Sequence, residues 1–410
     1  MKILVLSLIF SPDNVSTAQI WTGIAEDLRR AGHELLVITT TPHFHRDESL
    51  EVRQPLRNWL GRFIRRSECA GIPVWHIWMP DKGIWPPLRL LSWINFHVIA
   101  TLLGWFVRFR PDVVIAPSPP LTIGLNAWAI AAVRRARYIY NVQEIYPDIA
   151  VNLGVMRNKF LIGLFGRLER LIYRKAAFVT SITESMCAKI ATRTQPEKVR
   201  LVPNFVDLSD VVEVPRENAF AVAHNLVGKF VMTYAGNMGI PQRLEVMVEL
   251  ARRIPSLTAL LVGGGGDAKR LREMARGLDN VIFVDYQPIS RMPEIYAASD
   301  LFYVGQDVQA CGDGIPSKIY RILGHRKPLA VMTRRDSDLA AFVCRSNGGV
   351  LLEDDLEAAA KTVAGLMGSP ERLRTCGENG WRYVKAAFGR PSVSRMYEEI
   401  CREALGRSHG

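Results

Sequence analysis

The stretch DGIPSKIYRILGHRKPL, from Asp313 to Leu329, sets a glycine turn and a proline ahead of Ser317, Lys318 and Arg321, which open an apolar-striped segment. Gly312 and Gly314 permit a tight turn, Asp313 suits a cap, and Pro316 suits the first turn of a helix, where its missing N–H costs nothing. At about 100° per residue, Ile319, Ile322 and Leu323 share one side of that helix while Ser317, Lys318 and Arg321 gather on the other. Free N–H groups, a positive helix end and one or two cations then converge, and an anion such as phosphate is the guest that fits. The competing reading leaves Lys318 and Arg321 simply solvated.

Two further loops weigh on that choice. YAGNMG closes a strand-like run with Gly236 and Gly239 around Asn237, and VGGGGD closes the next with glycines 263 to 266. Ligands of doubly wound sheets sit outside the carboxyl ends of the strands, where bare backbone can approach them. Either loop alone is also explained by steric need for glycine. Three such loops in order favour the anion. Metal chemistry has less support: EDDLE at 353 to 357 reads as acidic residues opening a helix, and His43 and His45 in PHFH lack further ligands.

Positioning such loops takes alternating strands and helices. The apolar run from Lys2 to Phe10 suits a strand buried on both faces, and not a signal peptide, because the run is short and no small-residue cleavage site follows. Then come a helix capped by Ser16 or Thr17, with Ile20, Ile24 and Leu28 on one stripe, and LLVITT as a second strand. Strand-like runs recur at 111–120, 136–144, 176–183 and 199–207, and again at 230–239, 258–266, 280–286, 300–305 and 327–333. Two α/β domains follow, with a boundary near 205–229, and the last helix carries Met396, Ile400 and Ala404 on a stripe that must pack on something.

At 410 residues and 48% hydrophobic, the chain can bury large cores. Its net charge of +12 is uneven: residues 1–206 hold 26 Lys/Arg against 15 Asp/Glu (+11), and the rest 26 against 25 (+1). Such a half attracts nucleic acid, anionic lipid or phosphorylated substrates; nucleic acid is disfavoured because no aromatic-interleaved platform or known reader module accompanies the basic residues. Six scattered cysteines imply neither a disulfide framework nor a zinc site, and a reducing cytoplasm is the simplest setting. RNWLGRFIRRSE sets Trp59, Leu60, Phe63 and Ile64 beside Arg57, Arg62, Arg65 and Arg66, which predicts a basic helix with aromatic anchors on an anionic membrane, or a plain solvated face. Residues 90–109 approach membrane-spanning length, but Asn95 and His97 sit awkwardly in lipid, so monotopic attachment or a core helix is expected.

The series FSP…GIAEDLRRAGHELLVIT, VQEIYPD, VRLVPNFVD, YAGNMGIPQRLE, LLVGGGGDAKRL, VIFVDYQP…MPEIYAASDLFYV and PSKIYRILGHRKPL resembles glycosyltransferase family four across nearly the whole chain. The likeness is strongest to its bacterial surface-polysaccharide subset, with the colanic acid fucosyltransferase and the O-antigen N-acetylfucosaminyl transferases. The resemblance implies an α/β GT-B fold, with two Rossmann-like domains whose parallel sheets face a cleft: an acceptor domain at 1–205, a nucleotide-sugar domain at 206–390, and a helix at 391–410 crossing back to the first. The family's ribose-holding Glu falls on Arg321, and its diphosphate-gripping Arg and Lys fall on Asn237 and Gln242. That leaves Lys318, Arg321 and Arg243 as cations for the diphosphate, with Gly236, Gly264, Asp313, Ser317 and the backbone near Tyr286 completing the donor site.

On the acceptor side, the family's His-Asp or Gln-Asp pair corresponds to Gln143-Glu144. Glu144 would meet the acceptor hydroxyl as hydrogen-bond partner or base, or would merely precede a helix; Asp148 shares both readings. Val15, Ser16 and Thr17, beside Asn14, replace the usual glycine pair, and their hydroxyls would substitute for N–H donors. The family implies retention of anomeric configuration with neither metal nor cofactor. The expected substrates are a UDP- or GDP-sugar of fucose or N-acetylfucosamine type and an undecaprenyl-diphosphate-linked saccharide, handled by a peripheral protein on the cytoplasmic face of the cell membrane. A non-catalytic polysaccharide-binding subunit and a nucleotide-sugar epimerase remain as alternatives.

Overall fold

The computed structural model describes residues 1–43, 48–61, 63–80, 86–152, 154–308 and 314–406. The chain divides into two compact units, Met1–Asn204 with Arg390–Gly410, and Phe205–Gly389.

The first unit is built on nine strands: β1 (Lys2–Leu6), β2 (Glu34–Thr40), β3 (Arg57–Leu60), β4 (Ile64–Cys69), β5 (Ile72–Ile77), β6 (Val113–Pro117), β7 (Arg137–Val142), β8 (Phe178–Ser181) and β9 (Val199–Leu201). They lie in the order β3-β4-β5-β2-β1-β6-β7-β8-β9, parallel except where β4 meets β3 and β5. The central strands are apolar throughout because helices cover both faces. Leu4, Leu36, Val114 and Tyr140 point to one side, where Phe96 and Ala100 of α3 (Pro86–Phe106), Ile123 and Ala127 of α4 (Ile123–Arg134) and Ile172 of α6 (Lys159–Lys175) complete the core. Asn141, one residue along from Tyr140, faces the other side and donates to the Tyr397 hydroxyl of the terminal helix Arg390–Gly406 at 3.0 Å. That helix packs on α1 (Ser16–Arg30): Trp21 meets Tyr397 at 5.1 Å between ring centroids, and Arg390 grips Asp27 and Glu26.

Several expectations need correction here. The first strand ends at Leu6 rather than Phe10, and the cap of α1 is Val15, whose side chain bonds nothing, so Ser16 is the first helical residue. The basic helix expected at 57–66 is an antiparallel strand pair, with Arg57 opposite Arg66 and Asn58 opposite Arg65. Gly61 supplies the left-handed turn (φ 55°), and the cross-strand arrangement lets the Arg66 guanidinium sit 4.0 Å from the Trp59 ring centroid and 4.1 Å from that of Trp75. No single helix offers that stack. Arg62 lies outside the described residues. The apolar segment at 90–109 is α3, and among the described residues no helix is long and apolar enough to cross a membrane. Its His97 bonds Asn126 and Thr122 of the α4 region at 2.5 and 2.8 Å, which satisfies that ring within the helical layer.

The second unit carries six parallel strands: β10 (Phe230–Asn237), β11 (Leu257–Gly264), β12 (Val281–Val284), β13 (Leu301–Gly305), β14 (Leu329–Met332) and β15 (Gly349–Leu351), ordered β12-β11-β10-β13-β14-β15. β15 has no counterpart among the runs read from sequence. β10 and β11 run in full register to their ends, so Gly236 lies beside Gly263 and Asn237 beside Gly264. The helix Lys318–Gly324 starts two residues after Pro316, not on it; the Pro316 carbonyl instead accepts the Ile319 N–H and opens the turn that leads into the helix. Ile319, Tyr320, Ile322 and Leu323 are buried and fix the helix over β13 and β14, through Phe302, Val304, Leu329 and Val331.

Candidate functional site

Lys318 is placed by the packing of its neighbours. With Ile319, Ile322 and Leu323 committed to the core, its side chain reaches back toward the end of β10, and its Nζ lies 3.9 Å from the centroid of the buried Tyr234 ring. A Cβ on Gly236 would come within 2.9 Å of that nitrogen, and the φ of 141° there is one that side-chain-bearing residues rarely adopt. Gly236 is therefore the opening through which the ammonium meets the strand end. Among the described residues no carboxylate pairs with Lys318, and burial lowers its pKa to about 7. Among the described residues this cation meets one π face and no counter-ion.

The surrounding residues set the shape. Gly263 is needed because a Cβ there would collide with the carbonyl oxygen of Gly236 in the neighbouring strand. The steric account of the glycines is thus right for Gly263, while Gly236 adjoins the cation. The Tyr234 hydroxyl donates to the Asn237 carbonyl at 2.6 Å and holds the turn, while the Asn237 residue itself is exposed. Gln242 accepts the Gly239 N–H at 3.0 Å, which commits its side chain to the loop. Arg243 sits in the left-handed region (φ 49°) and pairs with Asp354 at 2.6 Å. Burial disfavours its charge, but that carboxylate more than compensates and the guanidinium is held above its usual value. Arg321 lies one turn after Lys318 and, after burial, is the next cause holding His325 down to about 4. Ser317 caps the helix without a side-chain hydrogen bond to it. The Tyr286 hydroxyl donates to the Gly264 carbonyl at 2.9 Å, and the ring remains 60% exposed at the strand ends. Asp313 lies outside the described residues.

In the first unit, Glu144 stands in the bend after β7, four residues ahead of α5 (Asp148–Asn152), so it is not the helix-terminal residue of the alternative reading. It is half-buried, no hydrogen-bond or ionic partner is described for it, and burial raises its pKa. Its neighbour Gln143 is fixed by Asn141 and Asn204 at 2.8 and 3.2 Å. Asp148 is the opposite case: it bonds Arg193 and Lys189, each at 2.5 Å, and Arg193 also grips the buried Glu169. Ser16 and Thr17 open α1, and Asn14 accepts from Gln19 at 2.7 Å. Trp59 and Phe63 are 47% and 63% exposed, while Arg65 and Arg66 lie on β4. Sequence reasoning missed Tyr234, Asp354 and the Glu169–Arg193 pair, because each owes its role to a partner distant in the chain. Among the described residues no group of three His, Cys, Asp or Glu could hold a metal ion, and His43 is occupied with Thr40 and Asp13.

Residues 17–204 match the glycosyl transferase 4-like domain family. Over 379 residues the chain is 25% identical to WcaI of Escherichia coli (strain K12), a protein assigned as a glycosyl transferase of colanic acid biosynthesis, covering 89% of this chain and 91% of that protein. It is 22% identical over 241 residues to WbjE of Pseudomonas aeruginosa, assigned as a glycosyltransferase, over 57% of this chain and 60% of the other. Among solved structures, Anabaena Alr3699/HepE in complex with UDP matches 98% of this chain and 100% of its own, with TM-score 0.72 and 14% identity. Sucrose-phosphate synthase from Thermosynechococcus elongatus matches 99% and 100%, with TM-score 0.71 and 15% identity. The fold is GT-B.

Proposed function

We propose that this chain, with its match to the glycosyl transferase 4-like domain over residues 17–204 and its GT-B fold, is a glycosyltransferase of polysaccharide biosynthesis that transfers a hexose, with retention, from a nucleoside-diphosphate sugar to a lipid-linked saccharide. The observation that carries the donor half is Lys318: a half-buried, desolvated ammonium beside the Gly236 opening with no carboxylate described for it. A diphosphate supplies the missing counter-charge and would bond the ammonium. In the reaction the bond between the sugar C1 and the diphosphate oxygen breaks, and negative charge grows on the leaving group. Lys318 stabilises that charge without any metal having to do so. Arg321 reinforces the field from the next turn, and Arg243, already paired with Asp354, contributes less.

The new bond forms between C1 and an acceptor hydroxyl oxygen, whose proton must leave. Glu144 takes that role as hydrogen-bond acceptor and base, since a desolvated carboxylate without a partner holds a proton more readily than a solvated one. The basic first half of the chain suits an acceptor that is both anionic and lipidic, reached by a peripheral protein at the inner face of the cell membrane. A fucose or N-acetylfucosamine type sugar remains the proposed cargo, from the kinship of motifs with the surface-polysaccharide transferases.

Calorimetric titration with UDP and with GDP tests the reading. One nucleotide binds, and Lys318→Met weakens that binding by roughly a hundredfold or more. Failure of both to bind the wild-type chain overturns it in favour of a non-catalytic subunit, and turnover of a sugar nucleotide with no acceptor present overturns it in favour of an epimerase.

A further inference from the structure

The helical layer of α3, α4 and α6 has an outer surface that neither half of this chemistry uses. Residues spaced by three or four along α3 fall on one side, and Leu91, Ile94, Val98, Leu102 and Phe106 are all exposed there, Leu91 to 61% and Phe106 to 79%. At 1.5 Å per residue the stripe is about 22 Å long. The other side of α3 is in the core through Phe96 and Ala100, so the helix has a buried apolar face and an exposed one. α4 lies between its neighbours, with Ile130 against Gly104 of α3 and Gly124 against Ile172 of α6. α6 begins on the Asn158 cap and exposes Phe160 to 75%, Leu164 to 49% and Leu161 to 41%, among exposed Lys159, Arg167 and Arg170.

The charge of this layer is one-sided. Pro86–Phe106, Ile123–Arg134 and Lys159–Lys175 contain a single acidic residue, Glu169, and it is buried against Arg193. On the opposite face of the same sheet, α1 and the terminal helix carry Glu26, Asp27, Glu398 and Glu403. An apolar stripe is covered equally well by any apolar partner, but the cations around Phe160 and Leu164 are not. A second copy of this face would set like charges against each other, whereas anionic lipid head groups match them while acyl chains take the stripe.

We infer that the outer faces of α3 and α6 lie together in the head-group region of an anionic bilayer, with Leu91, Ile94, Val98, Leu102, Phe160 and Leu164 inserted and Lys159, Arg167 and Arg170 on the phosphates. The docking face is thus chiefly these two helices rather than the Trp59–Arg66 hairpin. Its choice of a lipid surface rests on the reading of a lipid-linked acceptor, and transfer to a water-soluble short-chain acceptor tests that reading separately.

Flotation of the full chain with phosphatidylcholine vesicles, with and without phosphatidylglycerol, at low and high salt, tests the face. The chain floats with the anionic vesicles and is released by salt. Reversing three exposed charges, Lys159→Glu, Arg167→Glu and Arg170→Glu, weakens binding by at least about a hundredfold. Leu102→Glu with Phe160→Glu abolishes it. All these side chains are exposed, and an unchanged circular dichroism spectrum and thermal unfolding profile report that the first unit of each variant is folded. Absence of wild-type flotation overturns the inference, as does wild-type flotation of both variants. So does a wild-type dimer that Leu102→Glu with Phe160→Glu dissociates while vesicle binding persists, since the face would then join two copies.

Discussion

Two regions of this molecule take charge out of water and deal with it in opposite ways. In the first unit Arg193 donates to both oxygens of Glu169 at 2.8 and 2.7 Å and to Asp148 at 2.5 Å. Burial pushes Asp148 upward, yet its two cations overcome that and hold it below the ordinary carboxylate range. In the second unit Lys318 has the ring of Tyr234 and no described carboxylate, and burial pulls it down to about 7. A buried charge with a full set of partners specifies the fold. One without them is arranged for something that arrives from outside.

The sharpest way to break that contrast is to delete each cation. Arg193→Met strands Glu169 in the core, and the expected cost is about 3–5 kcal/mol, as when one partner of a buried pair is removed. At about 2–4 °C per kcal/mol for a unit of this size, thermal unfolding should move down by on the order of 10 °C. Donor affinity measured well below that temperature should be unchanged. Lys318→Met should do the reverse: kcat/KM falls by roughly a hundred- to a thousandfold, while the nucleotide-free chain unfolds no earlier than wild type, because a desolvated ammonium has been replaced by an apolar side chain. A lowered unfolding temperature with intact donor kinetics would make Lys318 structural and erase the distinction.

The same contrast recurs within the first unit between Glu144 and Asp148, four residues apart. Glu144→Gln should lower kcat by about a hundredfold with donor KM unchanged. Asp148→Asn removes one acceptor from the Arg193 cluster and should act mainly on stability, by about 1–3 kcal/mol. Steady-state kinetics and thermal unfolding on both variants decide it: equal losses of kcat would mean that both carboxylates face the acceptor.

How much of this was legible depends on the range over which each feature is determined. Strands such as β2 and β11 are legible because burial on both faces leaves a continuous apolar run. Lys318 is legible for a similar reason: Ile319, Ile322 and Leu323 fix the helix's inner side, and the cation's place follows. Its solitude is not legible, since that depends on Tyr234 and on the absence of any described acid nearby. Arg243 is a further candidate cation from sequence, but Asp354, 111 residues away, pairs with it. The hairpin at Arg57–Cys69 was misread because Trp59, Leu60, Phe63 and Ile64 also fit a helical stripe, and only Trp75 on a third strand shows why strands win. On α3 the sequence shows an apolar helix, but which of its sides α4 and the sheet leave open is a tertiary fact.

The smallest effect bears most directly on Lys318, because it reads the proton itself. With a folded pKa of about 7 against roughly 10.4 in an unfolded chain, the unfolded state binds more protons across that interval, so nucleotide-free stability rises with pH from about 7 upward. Donor binding has the opposite slope. A diphosphate stabilises the ammonium and raises its pKa, so each binding event above about pH 7 draws a proton from solvent, and affinity weakens by at most about tenfold per pH unit. An intact sugar nucleotide is the right probe, since its phosphates do not titrate in this range. Calorimetry in buffers of unlike ionisation enthalpy should therefore show close to one proton taken up at pH about 8, and none in Lys318→Met. Arg193 offers the control, because a guanidinium stays charged throughout and its loss leaves that uptake intact. If wild-type affinity is flat across this range, the nitrogen over Tyr234 is not where the diphosphate binds, and the buried lysine is only another part of the core.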